Sequence, residues 1–120
     1  MTQMLRKLSA AVTIVAVLGT AAVAVAGTIE RVRASGTDVW HARVSAGVPV
    51  SVIVDGDGDT DLDLYVYDGF GRLIGADEDL TDLCIVNVTP RSSGEVTIRI
   101  VNRGSVYNEY EIDVFGGQLR

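Results

Sequence analysis

The chain is poor in residues that supply catalysis or covalent cross-links. It contains one cysteine and one histidine in 120 residues. A single cysteine excludes an intramolecular disulfide, and the apolar neighbours Ile85 and Val86 predict that Cys84 is buried as a small hydrophobic side chain. His41 lies in a predicted strand, where nothing places a serine or cysteine beside it as a nucleophile. We therefore expect no enzymatic activity.

Basic residues are also scarce. Ten Lys and Arg residues stand against 16 Asp and Glu residues, for a formal net charge of −6. An acidic surface repels the phosphates of nucleic acids and the headgroups of anionic lipids. We therefore expect neither nucleic acid nor a lipid surface as a partner.

The first 26 residues have the composition of an export signal. Arg6 and Lys7 precede an uncharged stretch rich in Ala, Val and Leu that ends in Ala24-Val25-Ala26. This order predicts a bacterial signal peptide over residues 1–26, cleaved after Ala26, and a periplasmic or secreted product without a membrane anchor. The alternative is an uncleaved anchor, because about 18 apolar residues nearly span a bilayer. Cleavage leaves eight basic and 16 acidic residues, a formal charge of −8.

The rest of the chain has turn residues at short intervals and β-branched residues between them. This pattern predicts an all-β fold, an antiparallel β-sandwich that is jelly-roll-like, with seven or eight strands. We expect a polar lead-in at 27–37, the sandwich at 38–116 and a C-terminal tail at 117–120, forming one monomeric domain with a modest core. The predicted strands are 38–44, 48–54, 61–68, 72–76, 84–88, 95–102 and 107–115. Gly69-Phe70-Gly71 is expected to join 61–68 to 72–76 as a hairpin, and the last two strands are expected to form another. Val48, Val50, Val52 and Val54 are expected to share one face, as are Leu62, Leu64 and Val66.

Five aspartates occupy every second position from Asp55 to Asp63. An extended backbone would aim all five carboxylates to one side, where neighbours about 7 Å apart repel by about 0.6 kcal/mol in water and by more where solvent is excluded. Either the first half is a solvated Gly-Asp loop, or a hard cation such as Ca²⁺ lies among the oxygens. Asp63, inside a predicted strand, is expected to accept hydrogen bonds from backbone, serine or threonine groups.

Calcium requires six to eight oxygen ligands, which an acid-rich loop can provide. We predict a site that spans two loops, and the alternative is a solvated acidic face without metal. The candidate Ca²⁺ ligands are Asp55, Asp57, Asp59, Asp61, Asp77 and Asp79.

Two tyrosines offer a binding hypothesis. Tyr65 and Tyr67 project from the same strand face as Asp61 and Asp63 and could form a flat platform for sugar rings or a peptide strand. The alternative is that both rings pack against neighbouring strands, as half-buried tyrosines commonly do.

The order of motifs resembles the bacterial pre-peptidase C-terminal domain family, small jelly-roll-like sandwiches usually appended to secreted peptidases. The resemblance covers nearly all of the chain after Gly27. It rests on Ala46-Gly47, on Asp61-Leu62-Asp63-Leu64-Tyr65-Val66, on Thr89-Pro90 with Gly94 before Val96-Thr97-Ile98-Arg99-Ile100, and on Asn102 with Gly104 before the strand from Tyr107 to Val114.

Some members of that family, including collagen-binding modules of clostridial collagenases, bind calcium and attach to extracellular polymers. The resemblance implies an accessory role rather than catalysis. We therefore expect a freestanding, exported, non-catalytic module that is stabilised by calcium and binds an extracellular polysaccharide or protein. The alternative is a metal-free structural or surface-associated module with no ligand of its own.

Overall fold

The computed structural model describes residues 12–15, 22–25 and 27–120. Strands β1 (Val12–Val15) and β2 (Ala22–Val25) pair with each other antiparallel. They fall within the predicted export signal, and the predicted cleavage site at Ala26 lies outside the described residues. None of the described residues form a helix long and apolar enough to cross a membrane.

Nine further strands form two packed antiparallel sheets. The strands are β3 (Thr28–Val32), β4 (Thr37–Val44), β5 (Val50–Asp55), β6 (Leu62–Tyr67), β7 (Leu73–Asp77), β8 (Leu83–Val88), β9 (Gly94–Asn102), β10 (Asn108–Phe115) and β11 (Gln118–Leu119). One sheet has the order β3-β10-β5-β8 and the other β11-β4-β9-β6-β7. The predicted antiparallel sandwich is confirmed, and strands β3 to β10 have the jelly-roll arrangement.

The core follows directly from alternation along the strands. Each central strand directs every second residue inward, where burial of aliphatic surface stabilises the fold. The inward residues that are at most 1% exposed include Val50, Val52 and Val54 of β5, Leu62, Leu64 and Val66 of β6, Ile98 and Ile100 of β9, and Tyr110 and Ile112 of β10. Cys84 is fully buried, as predicted. Val48, predicted to share the inward face of β5, is 42% exposed because it precedes the strand.

Of the nine strands in the two sheets, two are absent from the seven predicted ranges. The segment predicted as a polar lead-in contains β3, which pairs with β10 from Val32 opposite Asn108 to Thr28 opposite Ile112. Only Val32 of β3 is buried, so its sequence lacks the apolar alternation that marks a strand. The predicted tail contains β11, which pairs with Arg43 and Ala42 of β4. Edge strands like these form by backbone pairing, which side-chain patterns do not report.

The predicted hairpin between the last two long strands is wrong. Strand β9 lies in the five-stranded sheet and β10 in the four-stranded sheet, so residues 103–107 cross between layers. The Asn102 side chain stabilises this crossing, because its Nδ2 donates to the carbonyl oxygens of Val32, at 3.3 Å, and of Val106, at 2.8 Å. A turn between strands looks the same in sequence whether it stays in one sheet or changes sheets.

The loops gather at the two ends of the sandwich. We call one end the acid rim, formed by residues 33–36, 56–61, 78–82 and 103–107. The other end, the opposite rim, is formed by residues 45–49, 68–72, 89–93 and 116–117. The antiparallel register brings loops that are distant in sequence together at each rim, and the predicted metal ligands lie at or next to the acid rim.

Candidate functional site

The aspartate run is a loop rather than an extended comb. Strand β5 ends at Asp55 and β6 begins at Leu62, so the intervening residues cross from one sheet to the other. Gly58 has a φ of 89°, in the left-handed region that glycine adopts without strain. The five carboxylates therefore do not share one direction.

Asp57 is the buried member of the run, only 6% exposed. Its Oδ1 accepts a hydrogen bond from the Asp59 amide at 3.0 Å, and its Oδ2 accepts one from the Glu109 amide at 2.9 Å. The carboxylate thus fixes its own turn and ties the loop to β10. The expectation of a solvated loop is incorrect at this residue, since backbone amides rather than water meet the charge.

Asp82 and Asn108 complete this arrangement, although neither was predicted to belong to a site. Asp82 is 6% exposed and Asn108 is fully buried. The Oδ2 atom of Asp82 accepts from the Gly58 amide at 2.6 Å and from Asn108 Nδ2 at 3.1 Å. Asn108 Oδ1 accepts from the Asp57 amide at 3.1 Å, and its Nδ2 also donates to Thr60 Oγ1 at 3.1 Å. Two loops and a strand are joined by one polar network.

A sequence signal for Asn108 exists in the alternation of β10. Asn108 occupies the inward position that precedes Tyr110 and Ile112, and Asn102 likewise ends the inward row of β9. A buried polar residue must find hydrogen-bond partners. An asparagine at the inward-facing end of an apolar strand therefore indicates that its side chain forms hydrogen bonds with the backbone of an adjacent loop.

Asp61 and Asp79 are brought into electrostatic contact, as the two-loop prediction requires. Burial raises the pKa of Asp61, and the neighbouring charges of Asp63 and Asp79 raise it further, against a smaller lowering by Arg103. Asp61 Oδ1 is buried and has no hydrogen-bond partner in the structure. This oxygen lies where a cation would be favourable.

Asp79 and Asp77, the predicted ligands that follow β6 in sequence, already accept hydrogen bonds from nearby residues. Asp79 Oδ1 accepts from the Thr81 amide at 3.0 Å, and this bond, with one from the Thr81 hydroxyl, lowers the pKa of Asp79. Asp77 Oδ2 accepts from the Ile85 amide at 2.9 Å. Among the described residues, no group of three or more His, Cys, Asp or Glu side chains converges closely enough to hold a metal ion.

A second polar network begins at Asp63, on the outer face of the five-stranded sheet. Asp63 Oδ2 accepts from Arg103 Nε at 2.7 Å and, at 3.4 Å, from the Tyr65 hydroxyl, so its main partner is a guanidinium rather than the predicted backbone, serine or threonine group. Arg103 Nη2 donates to the Tyr65 hydroxyl at 3.1 Å, and that hydroxyl donates to Glu78 Oε2 at 2.6 Å. The bond to Glu78 raises the pKa of Tyr65. The Tyr65 side chain is therefore held at its outer end.

Tyr65 and Tyr67 lie on the same face of β6, both half-buried. In the register of the sheet, Tyr65 is opposite Arg99 of β9, and Tyr67 is opposite Thr97. The two rings thus have polar side chains beside them on a central strand. This is the arrangement that the platform hypothesis requires.

The single histidine and the single cysteine are not arranged as a catalytic pair. Cys84 belongs to the four-stranded sheet, where its Sγ donates to the Leu62 carbonyl oxygen at 3.1 Å and burial raises the pKa of the thiol. His41 belongs to the other sheet, with its Nδ1 at 3.6 Å from Glu95 Oε1. A buried, protonated thiol is a poor nucleophile.

A cavity of about 780 Å³ lies at the opposite rim. Phe70, Arg72, Leu73 and Pro90 are among its lining residues. None of the predicted metal ligands or platform tyrosines lines it. Phe70 is 76% exposed there, with the Arg72 guanidinium 5.3 Å from its ring centre.

Comparison with family models and with curated protein sequences finds no match to this chain. The resemblance to pre-peptidase C-terminal domains therefore stays a prediction.

Proposed function

We propose that this protein is an exported, non-catalytic β-sandwich module that binds an extracellular polysaccharide. The binding surface is the outer face of the five-stranded sheet around Tyr65 and Tyr67. The observation that carries the proposal is the fixed position of Tyr65, whose hydroxyl is bonded to Glu78 at 2.6 Å and to Arg103 at 3.1 Å. A ring that is already immobilised loses little entropy on binding.

The polar and aromatic groups of this surface match a sugar chain better than they match the apolar surface of a protein partner. Tyrosine rings supply flat apolar area with a polar end, which matches the C–H faces and hydroxyl groups of a pyranose. Arg99 and Thr97, opposite the tyrosines in β9, can exchange hydrogen bonds with sugar hydroxyls. The surface offers alternating apolar and polar groups, as a polysaccharide does.

Export and the accessory role rest on the sequence. The basic start, apolar centre and Ala24-Val25-Ala26 ending support cleavage after Ala26. The resemblance to pre-peptidase C-terminal domains supports a role beside other exported proteins. The separation of Cys84 from His41 in opposite sheets supports a module without catalysis.

Retention on insoluble polysaccharides tests the binding face. We expect the secreted protein to sediment with cellulose or chitin, and the double variant Tyr65→Ala/Tyr67→Ala to lose at least about 90% of that binding, because aromatic anchors dominate such contacts. Tyr107→Ala is the matched control, since this tyrosine is 49% exposed at the acid rim, away from the sheet face.

Circular dichroism would first establish that the double variant is folded. Equal sedimentation of the folded double variant and the unaltered protein would refute the platform. Retention on a fibrous protein such as collagen, and on no polysaccharide, would transfer the function to a protein partner.

A second candidate role is calcium binding at the acid rim, favoured by the unpartnered Oδ1 of Asp61 and its coupling to Asp79. The ligands would be the six aspartates predicted from the sequence, with Asp57, Asp77 and Asp79 exchanging present hydrogen bonds for metal contacts. Calcium at 100 times its dissociation constant would add about 2.7 kcal/mol, which raises the melting temperature by roughly 10 °C or more.

The measurement compares melting temperatures in millimolar calcium and in chelator. Asp61→Asn should abolish the difference, whereas Asp68→Asn at the opposite rim should leave it intact. An identical melt with calcium and with chelator would favour the metal-free structural module.

A further inference from the structure

Two carboxylates on the outer face of β10 are buried although they face away from the core. Glu111 is 5% exposed and Asp113 is 8% exposed. They are two residues apart in one strand and therefore lie on one face. Glu111 Oε1 has no hydrogen-bond partner in the structure.

No cationic side chain of the described residues compensates these two carboxylates. Burial, followed by the charges of Asp113 and Asp55, raises the pKa of Glu111, and burial raises the pKa of Asp113. Arg31, which lies opposite Glu109 in the pairing of β3 with β10, is paired with the Glu109 carboxylate at 3.6 Å. Two desolvated carboxylates without a counter-charge are costly.

Gly27 lies directly against this pair. A Cβ atom placed on Gly27 would be 2.6 Å from Asp113 Oδ1 and 2.6 Å from Glu111 Cγ. The nitrogen bonded to the same Cα is about 2.5 Å from that Cβ position, so it lies within about 5 Å of Asp113 Oδ1. Only glycine leaves the carboxylates this close to the backbone.

We propose that the α-ammonium group of Gly27, created when the signal peptide is removed after Ala26, is the counter-ion of Glu111 and Asp113. This inference rests on the proposed export and cleavage. A signal peptidase hydrolyses the Ala26–Gly27 bond: water supplies the hydroxyl of the Ala26 carboxylate and a proton to the Gly27 amine. The amine then takes up a further proton, since a free α-amino group has a pKa of about 7.7 to 8.0.

The consequence is a domain that becomes more stable when it is processed. In the precursor, position 27 carries a neutral amide nitrogen and cannot compensate the carboxylates. In the processed chain, the ammonium group is held next to both by β3, whose pairing begins at Thr28 opposite Ile112. Charge-assisted hydrogen bonds of this kind are stronger than neutral ones.

The chain offers an unusually clean test. The only lysine of the sequence is Lys7, so residues 27–120 contain no primary amine other than the new terminus. The secreted protein is acetylated in denaturant, refolded, and compared in urea unfolding with protein refolded without reagent. We expect acetylation to increase the unfolding equilibrium constant about tenfold, corresponding to about 1.4 kcal/mol.

The double variant Glu111→Gln/Asp113→Asn should show no effect of acetylation, because the partner charges are gone. Glu109→Gln is the matched control on the same strand face, and acetylation should still destabilise it. An acetylation effect that is absent in the unaltered protein, or that persists in the double variant, would overturn the proposal.

The mass of the secreted chain separates this inference from the proposed function. A chain that begins at a residue other than Gly27 overturns the inference before any unfolding measurement. Polysaccharide retention is measured independently, so loss of the binding proposal leaves the terminal ion pair standing, and the reverse also holds.

Discussion

In the loops of the acid rim, six carboxylates stand beside two arginines, whereas the loops of the opposite rim carry one carboxylate and two arginines. The glycines show the reverse distribution. Gly47, Gly71, Gly94 and Gly116 have positive φ values at or next to the opposite rim, whereas Gly58 alone among the described glycines does so at the acid rim. The acid rim is therefore rich in charged side chains, whereas the opposite rim is rich in glycines with a left-handed backbone conformation.

This difference follows from what each set of loops must do. At the acid rim, Asp57, Asp82 and Asn108 accept hydrogen bonds from backbone amides at least 24 residues away in sequence. At the opposite rim, the Val48 amide donates to the Ser45 carbonyl oxygen at 3.2 Å within one loop, and the 68–72 turn closes on itself. Stability at the acid rim therefore depends on a buried polar network, whereas at the opposite rim it depends on local turn geometry.

The largest effect should come from Asn108→Ala. This substitution removes the acceptor of the Asp57 amide and the side-chain donor to Asp82 Oδ2 from a buried network, and we expect a loss of about 3 kcal/mol. Urea unfolding measures it. Asn87→Ala is the control, because Asn87 is exposed and its side chain accepts a hydrogen bond from the Ser51 hydroxyl at the surface. Equal effects of the two substitutions would remove the distinction between a buried network and surface hydrogen bonds.

A smaller effect is expected from Gly71→Ala at the opposite rim. Gly71 has a φ of 80°, and an added Cβ would meet nothing within 4 Å, so the cost is conformational only. We expect a loss of about 1 kcal/mol in the free energy of unfolding. Gly69→Ala, in the same turn without a positive φ, should change stability by less than about 0.5 kcal/mol. A neutral Gly71→Ala would show that this rim does not depend on glycine.

The smallest effect concerns pH. Hydrogen bonds from the Arg72 amide and the Phe70 amide lower the pKa of Asp68 below 3.8. An acid whose pKa is depressed in the folded state contributes stability above its unfolded pKa and loses it as the pH falls through the folded value. Asp68→Asn should therefore flatten the fall in melting temperature below pH 3.8, compared with the unaltered protein. Parallel melting curves would exclude this contribution.

The sequence predicted most of the sandwich because its strands alternate strongly. The faces with Val50, Val52 and Val54, and with Leu62 and Leu64, are as expected. The hairpin between β6 and β7 was predicted from Gly69-Phe70-Gly71 and is present. Strands β3 and β11 were missed because edge strands require no apolar face. The β9–β10 crossing was mistaken for a hairpin because the sequence of a turn does not indicate which sheet the next strand joins.

The candidate site was predictable only in part. The many aspartates in two loops predicted that Asp57, Asp61 and Asp79 lie at the same end of the domain. Their partners were not predictable in the same way, because Asp82 and Asn108 are 24 or more residues from the groups they contact in the first loop. The pairing of Asp63 with Arg103, 40 residues away, likewise depends on the packing of two strands.

By itself, the sequence determined the all-β class, the inward faces and the chemical character of the acidic loops. These properties are local, since alternation and composition are written in neighbouring residues. Only the tertiary structure decided which carboxylates are buried and from which amides they accept hydrogen bonds. It also decided that Gly27 lies against Glu111 and Asp113. Those outcomes depend on how two twisted sheets stack and on which loops meet at a rim. Patterns among neighbouring residues do not encode contacts between residues that are far apart in sequence.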